Sequence, residues 1–141
     1  KPEMIEKMVY TLKEHPSVAF VYSSFYFGWK KFICGPFDAE WLKQINYITT
    51  TSLLRREFFP GFDESLTRFQ DWDVWLTISE RGGKGVWIPE ALFRVKPRRG
   101  GTGMSAWLPS FAYNLSLFKN WTRVKNYKEA RVCVIAKHHL I

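Results

Sequence analysis

The chain has 141 residues, 46% of them hydrophobic and 24% charged. That suits one globular domain and excludes both a disordered tail and two full-sized domains. The net charge of +8 is one-sided: nine basic face eight acidic side chains up to Gln70, and twelve face five from Asp71 onward. The second half therefore attracts anions such as phosphates, nucleic acid or an acidic membrane face.

In chain order, Glu3 to His15 reads as a helix, with Met4, Met8 and Leu12 on one stripe and His15-Pro16 as its stop. The opening residues are helix-like, unlike a secretory leader. Val18 to Tyr22 is a short apolar run expected as a buried strand, which Ser23 to Trp29 can continue. Lys30 to Asp38 is expected as a loop, and Glu40 to Gln44 is ambiguous. Tyr47 to Leu54, rich in β-branched residues, is expected as a second strand. Thr67-Arg68-Phe69-Gln70 has capping-box spacing, and a helix is expected over Asp71 to Arg81, closed by Gly82-Gly83. Gly85 to Pro89 and Ala91 to Val95 read as a third and a fourth strand. Lys96 to Ser105 is a basic, glycine-rich loop. Pro109 onward is expected to be helical, with Trp107, Phe111, Leu115 and Phe118 on one side, and a last helix is expected over Lys128 to His138. No apolar run reaches the ~18–20 residues of a membrane span. Cys34 and Cys133 form neither a metal spacing nor a disulfide framework, so a reducing, cytoplasmic setting is expected.

One succession carries chemistry. Thr50-Thr51-Ser52-Leu53-Leu54-Arg55-Arg56-Glu57 is followed by Gly61-Phe62-Asp63-Glu64 and then Gln70-Asp71-Trp72-Asp73-Val74-Trp75-Leu76. Ile88-Pro89-Glu90 and Leu92-Phe93-Arg94-Val95-Lys96 come after it. Each piece alone is weak, but in this order and spacing they resemble the second half of a family-2 glycosyltransferase of the GT-A fold, over roughly Pro2 to Ser105. The resemblance implies an α/β partial GT-A domain over residues 1–105, a mixed sheet of few strands flanked by helices. Residues 106–141 would be a helical extension.

The resemblance also implies site residues. Inverting transfer needs a carboxylate to take the proton of an acceptor hydroxyl, a role worth about 10²–10⁴ in rate, and the family pattern puts it at Asp71. A carboxylate in a first helical turn is also stabilised by the helix dipole whatever its function. Thr50, Thr51, Gln70, Trp72 and Asp73 are the expected acceptor- or sugar-binding positions, with Asp73 equally readable as structural and Trp72 and Trp75 as core. Lys96, Arg98, Arg99 and Ser105 would contact the donor phosphates, with a solvated basic loop as the plainer alternative. One of Arg55 and Arg56 would pair with the Gly-Phe-Asp-Glu turn. No metal ligand is expected in this chain. The Asp-X-Asp that holds Mg²⁺ or Mn²⁺ in such enzymes would precede Lys1, so the chain is expected to be a fragment that is inactive alone.

The expected partners are a nucleotide-sugar donor, a carbohydrate or lipid-linked acceptor and the donor-binding half of the same enzyme. The basic, aromatic region after Ser105 is read first as packing on the domain, with an anionic membrane surface as the alternative partner. The enzyme would act in polysaccharide, glycolipid or glycoprotein synthesis. The competing class is a non-catalytic basic module that binds nucleic acid or carbohydrate, but no recognised nucleic-acid motif is present.

Overall fold

In a computed structural model of the chain, residues 2–97 and 122–140 are described. Along them run α1 (Met4–Glu14), β1 (Phe20–Phe27), β2 (Lys30–Phe32), α2 (Ala39–Gln44), β3 (Leu53–Leu54), a 3₁₀ turn (Arg56–Phe58), α3 (Gln70–Glu80), β4 (Gly85–Val95) and α4 (Thr122–Lys137). The expected helices and sheet of an α/β chain are therefore present. The amphipathic segment beginning near Pro109 lies outside the described residues.

β1 is the hub of the sheet. β4 runs parallel to it along its whole length, while β3 and β2 share its other edge as antiparallel partners, at Phe20–Val21 and Phe25–Phe27 respectively. Successive residues of a strand point to opposite faces, and both faces are covered. Val21 packs with Met8 of α1, Ile88 and Leu92. Phe20 lies on the other face, its ring 4.7 Å from that of Trp75 in α3. Both residues are fully buried, which stabilises the fold by about 1.5–3 kcal/mol for each such side chain.

Three local expectations differ from the structure. Residues 85–95 form one strand instead of two. Ile88 pairs with Ser23 and Ala91 with Ser24, so Pro89 and Glu90 bulge out of the ladder, where a proline without an N–H is tolerated. The expected strand over Tyr47–Leu54 shrinks to Leu53–Leu54, and β2 takes Phe25–Phe27 of the edge of β1 along which it would have continued. Ser52 Oγ instead donates to Thr49 O at 2.7 Å and closes a local turn. β2 itself falls in the expected loop. Gly28, at φ +59°, makes the two-residue turn that reverses the chain from Phe27 to Lys30.

α3 ends as its glycines foretell. Gly82 N–H donates to Ser79 O and Gly83 N–H to Ile78 O, both at 2.9 Å, with Gly82 at φ +80°. This is a Schellman closure. A Cβ on Gly83 would also press on Ile78 and on Ala19 at the mouth of β1. The C-terminus of α3 is thus pinned at the start of β1.

α4 begins at Thr122, earlier than expected. Val134 is fully buried in the same core cluster as Phe20, Trp72 and Trp75. Among the described residues, the C-terminal helix therefore packs on the core.

Candidate active site

The N-terminus of α3 is built differently from a capping box. The residue before the helix is Phe69, in the left-handed conformation at φ 64°, and no side chain caps it. Thr67 takes no capping role, and Gln70 Nε2 reaches back to Leu66 O at 2.6 Å. The first turn is served by Asp71, whose Oδ1 accepts the Trp72 N–H at 2.9 Å, satisfying one of the helix's orphan donors.

That same Oδ1 accepts from Asn46 Nδ2 at 3.0 Å, whereas Oδ2 accepts from neither group. Asn46 sits just after α2, on a segment held down by two indoles. Trp72 Nε1 donates to Leu42 O at 2.7 Å and Trp75 Nε1 to Ile48 O at 3.0 Å. Burial pushes the Asp71 carboxyl above the usual carboxylate range, against the lowering effect of its hydrogen bonds from Trp72 and Asn46. A half-buried carboxylate with raised basicity and one oxygen fixed is equipped to accept a proton. Asn46 Oδ1, by contrast, is buried and has no hydrogen-bond partner.

The other expected site residues separate. Trp72 is 1% exposed and belongs to the core, so its ring offers no open face to a sugar. Asp73 is likewise buried. Its Oδ1 lies 2.8 Å from both His138 Nε2 and Lys137 Nζ, which makes it an anchor for α4 and leaves it no access to an acceptor. Lys137 also pairs with Asp63 at 2.7 Å, and His138 Nδ1 lies 2.7 Å from Glu80 Oε1. The Gly-Phe-Asp-Glu turn is therefore held by Lys137. Arg55 instead donates to the carbonyls of Val18 and Leu12, at 3.0 and 2.6 Å. Thr50 is exposed and Thr51 half-buried, in the bend before β3. Lys96 is exposed just past the end of β4. Arg98, Arg99 and Ser105 lie outside the described residues.

Asn46 was not legible as a site residue, because its meaning comes from a partner 25 positions away. Lys137 and His138 were hidden for the same reason. Among the described residues no group of three His, Cys, Asp or Glu side chains could hold a metal ion. The Mg²⁺ or Mn²⁺ implied by the resemblance finds no ligand set there. Among the same residues no helix is long and apolar enough to cross a membrane. A cleft of about 440 Å³ lies between α1 and β4, lined by Glu3, Lys7, Tyr10 and Glu90 among others. It shares no lining residue with the Asp71 group.

The chain was compared with protein-family models and with curated proteins, and nothing in either set matches it.

Proposed function

We propose that this chain is the acceptor-side half of an inverting, nucleotide-sugar-dependent glycosyltransferase of the GT-A type, with Asp71 as its base. The observation that carries the proposal is the state of Asp71. Its carboxylate stands in the first turn of α3, beside Asn46 of the segment that follows α2. One of its oxygens is fixed by Asn46 and the Trp72 amide, and burial raises its basicity.

In the proposed step the acceptor hydroxyl gives its proton to the Asp71 carboxylate. The acceptor oxygen forms a bond to the anomeric carbon, and the bond from that carbon to the diphosphate oxygen breaks. The nucleoside diphosphate leaves with the electron pair, so one carboxylate suffices where a glycosidase needs two. Lys96, just past the end of β4, would offset charge on the departing diphosphate. The divalent cation of such enzymes would be held by an Asp-X-Asp outside this chain. The acceptor is a carbohydrate or a lipid-linked carbohydrate.

The test is nucleoside diphosphate release by the intact protein from a panel of uridine, guanosine and thymidine diphospho-sugars. Asp71→Asn should lower kcat by about 10²-fold or more, and Lys96→Ala should raise the donor KM or lower kcat. Transfer by the wild type with an unchanged kcat in Asp71→Asn would overturn the role of Asp71. Binding of single-stranded nucleic acid without any turnover would favour a non-catalytic basic module.

A further inference from the structure

The carboxyl end of β1, at its turn into β2, carries a surface that the chemistry of Asp71 does not use. The β1–β2 turn lifts Trp29 to 94% exposure, an extreme value for the largest apolar side chain. The residues around it are cationic. Lys30 and Lys31 follow it directly, both exposed, and Arg94 reaches it from β4. The Arg94 guanidinium stacks 4.4 Å from the Tyr26 ring centroid and 5.7 Å from that of Trp29, and also donates to Gly28 O. By strand register Lys31, Tyr26 and Arg94 form one row across three strands. Adjacent rows point to opposite faces. The Lys31–Tyr26–Arg94 row continues the face that α1 covers lower down through Ile88 and Leu92, beyond the reach of that helix's apolar contacts. No acidic residue occurs from Phe20 to Phe37 or from Ala91 to Pro97, and Glu90, the acid nearest in sequence to Arg94, is paired with Lys7 at 2.6 Å.

A cation fixed against an exposed indole, with lysines beside it, matches an anionic lipid surface in two ways. Trp partitions to the headgroup level, one face apolar and one edge wet, and Lys and Arg near an anionic leaflet each add attraction. We propose that the β1–β2 turn, through Trp29, Lys30, Lys31 and Arg94, docks this protein peripherally on an anionic phospholipid surface. Nucleic acid is the less favoured occupant. Single-strand binders stack successive bases on several aromatics along a groove, whereas here one ring projects from a turn and the second, Tyr26, is already covered by Arg94.

The experiment is sedimentation of the full chain with vesicles of phosphatidylcholine alone and of phosphatidylcholine with phosphatidylserine, at low and high salt. The wild type should bind only the phosphatidylserine vesicles and be released by salt. Replacing Lys30 and Lys31 together by Glu should weaken that binding by at least roughly 25-fold, about fivefold for each charge lost. Trp29→Ala should weaken it while leaving the salt dependence in place. Unfolding curves check that the variants fold, which the exposure of all three side chains favours. Equal sedimentation of wild type and variants would move the contact to another surface and sink the proposal. So would binding to phosphatidylcholine alone, or binding to a single-stranded oligonucleotide without binding to vesicles. None of these readouts depends on Asp71 or on sugar transfer, so the two proposals fail separately.

Discussion

His138 Nε2 lies 2.8 Å from Asp73 Oδ1, joining the C-terminal helix to the helix that carries Asp71, with both side chains almost wholly out of water. Asp71 and Asp73 are two residues apart, yet one is half-buried beside an amide and the other is locked between Lys137 and His138. Their substitutions should have opposite consequences.

Removing the carboxylate at 73 leaves His138 and Lys137 without a shared acceptor. Taking one partner from a buried hydrogen bond costs about 1–3 kcal/mol. Asp73→Ala should cost about 2 kcal/mol, because His138 loses a buried partner while the Lys137 side chain is 40% exposed and can turn to water. Urea unfolding gives the number, and hydrogen exchange should show α4 opening first. A loss below about 1 kcal/mol would mean that α4 is held by its apolar contacts alone.

Asp71→Asn should instead stabilise the protein at neutral pH. The folded-state pKa of Asp71 is raised by burial, so its ionised form opposes folding. The penalty appears as pH rises above the ordinary value of 3.8 and is complete once pH passes the raised folded value. The midpoint temperature of Asp71→Asn should therefore exceed that of the wild type at pH 7, and the gap should close toward pH 3. A variant less stable than wild type at pH 7 would falsify the assignment of burial as the dominant influence.

Asp63 responds in the other direction. The Lys137 ammonium, followed by the Ser65 hydroxyl and amide, holds its carboxyl down to about 2. A depressed carboxylate supports the fold above its unfolded value, and that support is lost as pH falls through the folded one. Between about pH 4 and pH 2 the wild type should lose stability that Asp63→Asn has already lost. Parallel acid unfolding curves for the two proteins would contradict this.

The two thiols should behave differently toward an alkylating agent. Cys34 is buried, and burial pushes its thiol up to about 11, while Cys133 is exposed on α4. The thiolate is the reactive species, so the native protein should take one label quickly, at Cys133, and a second only on unfolding. Rapid double labelling detected by mass would show that Cys34 is accessible.

Much of the fold was legible where the pattern was local. The Met4–Met8–Leu12 stripe, the apolar run at Phe20 and the glycine pair after α3 each marked an element through period or backbone geometry. Competition for one strand edge was not legible. The Thr-rich run before Leu53 has high strand propensity, but β2 occupies part of the edge it would need. Pro89 read as a break because sequence alone does not show that two residues can bulge out and the strand resume. At the candidate site, Asp71 was marked by its neighbours in sequence. Trp72 looked available for stacking until its indole was found serving a carbonyl of α2, and the partners of Asp73 lie more than sixty residues away.

All three companion strands take their alignment from the same eight residues, Phe20 to Phe27. A one-position slip there would turn inward-facing side chains outward in three neighbours at once. Errors in that segment cannot be absorbed locally, and the lattice of backbone pairings must assemble or dissolve as a single unit.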